Sequence, residues 1–205
     1  MLSLQTIHPD TLELLRCLAS QPELAQTRLV GGTALALQYG HRQSIDLDFF
    51  GAFSEEMEDI IAMLGKMENV TITLRTKRIV QTIINQIKVD FVDYSHYQWI
   101  DKPINGDGFI LASDKDIAAM KVNAIIGRGT RKDFIDLYVL LEHYSLSDIL
   151  TFYKHKYPEF SEYRALLSMT YFDDAEAQDF PRMFIDASWD KMKQTIIKAV
   201  KTYQA

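Results

Sequence analysis

In Ile45-Asp-Leu-Asp-Phe-Phe50 two acids alternate with apolar residues. The alternation reads as a strand whose one face carries Asp46 and Asp48 and whose other carries Ile45, Leu47 and Phe49. Carboxylates about 7 Å apart, from roughly 3.3 Å of rise per residue, repel each other unless a cation lies between them. Their hard oxygens, with coordination positions to spare, suit Mg²⁺ or Mn²⁺, ions that also bind substrate phosphates. Just upstream, Gly31-Gly32-Thr33 follows the apolar pair Leu29-Val30. Two glycines can take backbone angles closed to other residues and present successive N–H groups, and Thr33 is placed to cap a helix expected over residues 34–39. A helix N-terminus with free N–H groups attracts anions, and phosphate is the obvious guest. Singly, Gly-Gly-Thr also reads as an ordinary turn and Asp-x-Asp as a solvated strand edge or a capping pair. The succession of loop, helix and acidic strand points to a nucleotide and metal cradle.

Such a cradle needs a scaffold. Residues 70–75, 79–84 and 87–93 are β-branched and alternating, which predicts three consecutive strands, with Asn85-Gln86 turning the second into the third. In the third, Asp90 shares a face with Lys88 and Val92. An acid in so apolar a strand costs free energy unless it is paired or bound to metal, so Asp90 is a metal ligand or a structural carboxylate tied to Lys88 or a backbone N–H. Helical spacing is expected over residues 9–18, 54–64, 117–126, 131–141, 146–153, 160–167 and 189–200. Glu55, Glu56, Glu58 and Asp59 read as a solvated acidic first turn rather than a metal site. Pro103 to Gly108 reads as a turn and a boundary. Lys132, Asp133 and Asp136 lie off the buried stripe of their helix, and Asp133 and Asp136 are neighbours one turn apart.

Gly31-Gly32-Thr33, Leu35-Ala-Leu37 and Arg42-x-Ser44-x-Asp46-Leu-Asp48-Phe-Phe50, in this order, closely resemble the first motif of the AbiEii/AbiGii nucleotidyltransferase family, within the polymerase-β-like nucleotidyltransferase superfamily. The resemblance extends over residues 28–143: Asp90 matches the superfamily's third carboxylate, and Lys121, Arg128, Lys132, Asp133 and Asp136 occupy later motif positions. It implies an α+β fold, a mixed sheet flanked by helices with a C-terminal helical region. Residues 1–112 would form the nucleotidyltransferase core and residues 113–205 the helical part completing the active site. By the same resemblance Asp46, Asp48 and Asp90 would hold Mg²⁺ or Mn²⁺, and Lys121 would act on phosphate. Gly31, Gly32 and Thr33 would cradle the β- and γ-phosphates, and Arg42, Ser44, Arg128 and Lys132 would help bind nucleotide. Asp133 and Asp136 either take part in nucleotide handling or hold Lys121 and Arg128 in place. The superfamily usually has Gly-Ser where this chain has Gly32-Thr33; threonine keeps the hydroxyl.

Members of this family commonly serve as toxins of type IV toxin–antitoxin or abortive-infection systems, and some act on tRNA 3′ ends. The resemblance therefore implies an NTP substrate, an RNA, tRNA or protein acceptor, and a cognate antitoxin. A non-catalytic NTP-binding regulatory module of the same fold is the alternative. Bulk properties narrow the field further. A net charge of −6 over 205 residues argues against a broad basic surface, leaving a local groove for any nucleic acid. Cys17 is the single cysteine, which excludes an intrachain disulfide, and its setting in an apolar helix predicts a buried thiol. Neither a basic, apolar leader nor a run of roughly 20 apolar residues is present, so a cytoplasmic protein without a membrane partner is expected.

Overall fold

The computed structural model, which describes residues 1–54, 57–159 and 161–205, begins with the amphipathic helix α1 (Pro9–Ala19), burying Leu14, Leu15 and Leu18. Proline fits the first helical position because the N–H it lacks would have no intrahelical partner. Next come β1 (Thr27–Leu29), α2 (Gly31–Tyr39), β2 (Leu47–Gly51) and α3 (Glu58–Leu64). The three alternating segments form β3 (Val70–Arg75), β4 (Ile79–Ile84) and β5 (Ile87–Asp93) at the expected bounds, with Asn85 and Gln86 at positive φ in the turn.

Residues 103–108, expected as a connecting turn, instead contain β6 (Ile104–Gly106), which pairs antiparallel with β7 (Phe109–Leu111). Asp107 and Gly108, with φ of 53° and 83°, close this hairpin. Helices α4 (Asp114–Gly127), α5 (Arg131–Leu141), α6 (Leu146–Lys156), α7 (Glu162–Met169), α8 (Asp173–Glu176) and α9 (Trp189–Gln204) complete the order. Ser113 caps α4, its hydroxyl accepting from the Asp116 amide, and a Thr130–Asp133 capping box starts α5. The stripe Trp189, Met192, Ile196 and Val200 is buried along α9, as its spacing predicts.

Among the described residues the strands form one seven-stranded mixed sheet in the order β3-β4-β5-β2-β1-β7-β6. The pairs β2–β5 and β1–β7 are parallel and the other neighbours antiparallel. One hydrophobic cluster unites Leu47, Phe49, Val89 and Phe91 of the sheet with Ile117 and Val122 of α4, Phe134 and Leu137 of α5, and Met192 of α9. α4 is the hub, packing against α2, α5, α6 and α7.

Three local expectations change. β2 starts at Leu47, so Asp46 precedes the strand and Ile45 is 51% exposed instead of joining Leu47 and Phe49 inside. The cause is upstream: Ser44 donates its amide to the Thr6 carbonyl and Gln43 to that of Arg182, which holds this segment off the ladder. Cys17 is exposed, because the buried stripe of α1 runs through Leu14, Leu15 and Leu18. The 54–64 helix begins only at Glu58, with Ser54 hydrogen-bonded to Asp59, while Glu55 and Glu56, like Phe160 of the 160–167 segment, lie outside the described residues.

Candidate active site

Parallel pairing of β2 with β5 sets Asp48 directly opposite Asp90. Neighbouring strands lie about 4.8 Å apart, so two carboxylates on one face stand close enough to repel. Burial, then the charge of Asp90, pushes the Asp48 carboxyl up to about 6, against the opposing pull of Lys88. Asp90 Oδ2 accepts from Gln81 Nε2 and from Lys88 Nζ, each at 2.9 Å. Asp90 Oδ1 is buried without a hydrogen-bond partner among the described residues. Asp46 lies beside this ledge, where its charge bears on both Asp48 and Lys88.

Glycines bring the first turn of α2 against the carboxylates. Gly31 has φ of 70°, and a Cβ there would come within 2.5 Å of Asp48 Oδ2. Any other side chain would be strained and would displace the acid. A Cβ on Gly32 would strike the Arg42 guanidinium. Thr33 is not the cap expected of it. Val30 occupies that position, and the buried Thr33 hydroxyl donates to the Asp46 carbonyl while lying 2.8 Å from Ser44 Oγ. Thr33 and Ser44 thus fix the approach of Asp46 to the strand.

A basic wall faces the ledge. Asp136 is fully buried; its Oδ1 accepts from Arg42 Nε at 2.7 Å and its Oδ2 from Arg42 Nη2 at 2.8 Å and Lys121 Nζ at 2.6 Å. His41 Nε2 lies 2.8 Å from the same Oδ1. Asp133 Oδ1 accepts from Lys121 Nζ at 3.0 Å and Arg128 Nη2 at 3.1 Å, and its Oδ2 from Arg128 Nε and the Thr130 hydroxyl. Burial alone would raise both carboxyls, but Arg42 and Lys121 at Asp136, and Lys121 and Arg128 at Asp133, hold them well below the usual carboxylate range. Reciprocally, burial works against the Lys121 ammonium, and Asp136 and Asp133 more than restore it. Both acids, expected off the buried stripe of α5, are wholly buried, because a second face of α5 packs against α2 and α4.

The result is two adjoining depressions of about 270 and 330 Å³ that share Asp48, Lys121 and Arg128. One is polar, holding Asp46, Lys88, Lys132 and the Gly32-Thr33 turn; the other is walled by Val30, Phe50, Met120 and Tyr157 beside Asp90. This placement suits a polyanion on the cationic side and a flat apolar group on the other. Among the described residues no three His, Cys, Asp or Glu side chains converge as a finished metal-binding group. The donor set still fits a divalent cation: two juxtaposed carboxylates, one with a bare buried oxygen and the other pushed toward protonation, are short of positive charge.

Gathered around this cleft are Asp46, Asp48, Asp90, Lys121, Arg128, Lys132 and the 31–33 turn, while Arg42 and Ser44 line its floor. Asp133 and Asp136 sit behind Lys121, turned toward the chain's own cations. Sequence reasoning passed over Gln81, His41 and Gln178, the last of which lines the polar depression, and treated Lys88 only as a partner of Asp90. The alternation in β5 that put Lys88 on the face of Asp90 was the available signal for its place in the cleft. No signal marked Gln81, whose approach depends on the register of β4 against β5.

Comparison with known proteins agrees with this architecture. A family model described as nucleotidyl transferase AbiEii toxin, type IV TA system, matches residues 13–204. The uncharacterized protein aq_aa25 of Aquifex aeolicus (strain VF5) is 35% identical over 182 residues, spanning 85% of this chain and 86% of its own. MenT4, a nucleotidyltransferase toxin of Mycobacterium tuberculosis H37Rv, aligns with a TM-score of 0.60 at 15% identity, over 93% of this chain and 80% of its own. The antibiotic-resistance factor ANT(2″)-Ia aligns with a TM-score of 0.50 at 15% identity, over 75% and 91% of the two chains. At such identities the two structures speak for the fold alone, which is that of the polymerase-β-like nucleotidyltransferases. Since the family model covers nearly the entire sequence, the chain belongs to the AbiEii family of nucleotidyl transferase toxins of type IV toxin–antitoxin systems and is a nucleotidyltransferase.

Proposed function

We propose that the protein passes the NMP part of an NTP to a hydroxyl of an RNA acceptor, tRNA being the first to test, with Mg²⁺ or Mn²⁺ held at Asp46, Asp48 and Asp90. One observation carries this reading: the under-neutralised pair Asp48 and Asp90 lies against the first turn of α2 and faces Lys121 and Arg128 across the same cleft. In the reaction the acceptor oxygen bonds to the α-phosphorus as the α–β bridge breaks, and pyrophosphate leaves. Asp90 Oδ1, bare of partners among the described residues, would take the acceptor's proton. The free amides of the α2 first turn would hold the outer phosphates. Lys121, fixed by Asp133 and Asp136, would offer a charge that cannot drift as pyrophosphate departs. Arg128, 64% exposed and anchored at Asp133, would clamp phosphate from the open side. A bound divalent ion would neutralise the triphosphate and the charge developing on it.

On this reading residues 1–112 supply the acids and residues 113–205 the fixed cations, so the two parts act as one site. The setting proposed is the cytoplasm, with a cognate antitoxin as partner. No helix among the described residues is long and apolar enough to cross a membrane. The deciding experiment incubates the protein with Mg²⁺, each α-labelled NTP and total tRNA, other RNA or protein. Label in a nuclease-sensitive product, lost in Asp46→Asn, is the expected result. Label in a protease-sensitive product would move the acceptor to protein, and saturable NTP binding with no transfer to any acceptor would favour a regulatory module.

A further inference from the structure

We infer that Lys88 is a built-in counter-ion of the carboxylate ledge, which must release Asp90 before a divalent ion settles there and which then moves onto the triphosphate. The inference rests on the metal and nucleotide reading above and assigns to Lys88 the coupling between them.

Among the described residues Lys121 and Lys88 touch acids in this cleft, and they differ in freedom. Lys121 is buried and bonded to both Asp133 and Asp136, so moving it would strand charges inside the protein. Lys88 reaches in from solvent: its side chain is 50% exposed, against 11% for Asp90, and its ammonium lies 2.9 Å from Asp90 Oδ2. Detaching it costs only a partly exposed ion pair, and water receives the ammonium. Asp90 Oδ2 would retain Gln81, so the carboxylate does not lose its orientation when Lys88 goes.

Position makes Lys88 a stand-in for a metal. It lies two residues before Asp90 on the same face of β5, and Asp90 is the residue directly across the ladder from Asp48 of β2. Lys88 holds Oδ2 of the same carboxylate whose Oδ1 is bare, so an ammonium and a divalent cation on Asp90 would stand side by side and repel. Metal alone must therefore displace Lys88 at a cost. A triphosphate lowers that cost, because Lys88 lines the same polar depression as the Gly32-Thr33 turn, Lys121 and Lys132. Nucleotide and metal then bind with positive coupling, each favouring the state with Lys88 swung off Asp90.

The test is a Mn²⁺ titration followed by electron paramagnetic resonance at pH 8, without nucleotide, on wild type, Lys88→Met and Lys88→Gln. Transfer kinetics with saturating Mg²⁺ are measured alongside. Both variants should bind Mn²⁺ about threefold more tightly than wild type, the order expected for removing one partly exposed competitor charge. Their KM for NTP should rise by a similar factor, with a smaller change in kcat, and Lys88→Arg should stay near wild type in both readouts. A general loosening of the fold would weaken both kinds of binding, so opposite signs identify the counter-ion. Unchanged or weaker Mn²⁺ binding in both variants overturns the role of Lys88 while wild-type transfer leaves the reading of the site intact. Absence of Mn²⁺ binding in all the proteins overturns both.

Discussion

Two sets of aspartates lie on either side of Lys121, and their surroundings are opposite. Asp133 and Asp136 on α5 have more positive partners than charge: Arg42, Lys121, Arg128 and the Thr130 hydroxyl engage all four of their oxygens. Asp48 and Asp90 have less, with Lys88 reaching one oxygen of Asp90 and the Asp48 carboxyl pushed up to about 6. The saturated pair is a brace and the starved pair is a place for an added cation. Neighbouring acids thus acquire structural or chemical roles through how completely the protein itself neutralises them.

The comparison breaks most visibly at the brace. Asp136→Ala leaves Arg42 and Lys121 buried without their main anion and should cost about 3–5 kcal/mol, read as a lowered midpoint in urea; a loss below about 1 kcal/mol would show that the network is dispensable. On the starved side, Asp48→Asn should cut nucleotide transfer on the order of 10³-fold, about 4 kcal/mol of transition-state stabilisation, with an unchanged circular dichroism spectrum. Near wild-type turnover in that variant would remove Asp48 from the chemistry. Gly31→Ala should cost about 1–3 kcal/mol because of its positive φ and its collision with Asp48, and transfer should fall with it.

The smallest effect carries the sharpest sign. A carboxyl raised from 3.8 to about 6 on folding favours the folded state below its unfolded value, and that contribution is lost as pH rises through about 6. Without divalent ions, Asp48→Asn should therefore melt higher than wild type at pH 8, by about 1 kcal/mol, with the difference shrinking as pH falls from about 6 to about 4. Asp133 and Asp136 give the reverse slope: their depressed values add stability above pH 3.8 that vanishes as pH falls. Thermal melts across pH 3–9 separate the two sets, and a variant of Asp48 that is less stable at pH 8 would contradict the contrast.

Much of this was readable from spacing. β3, β4 and β5 follow a two-residue period with a turn between the last two, and that pattern holds whatever the strands pack against. Gly31 could be singled out because only glycine tolerates its backbone angle beside an acid. Other residues misled for equally physical reasons. Cys17 sits among leucines in sequence, yet the helix turns it outward. Ile45 continues the alternation of β2, but hydrogen bonds from Ser44 to Thr6 and from Gln43 to Arg182 draw that stretch away from the sheet. β6 and β7 are three residues each, too short for periodicity to register.

By itself the amino-acid sequence determined which residues could serve: acids on alternating strands, glycines before a helix, cations on two later helices, all in an order that marks the family. Local period and backbone sterics encode that much, since each depends on neighbours along the chain. Only the tertiary structure decided which acids the protein neutralises and which it leaves wanting. Ion pairing at Asp136 joins residues 94 positions apart, and the approach of Asp48 to Asp90 is set by the pairing of β2 with β5. Charge compensation is a property of distances in space, and no spacing along one segment contains it.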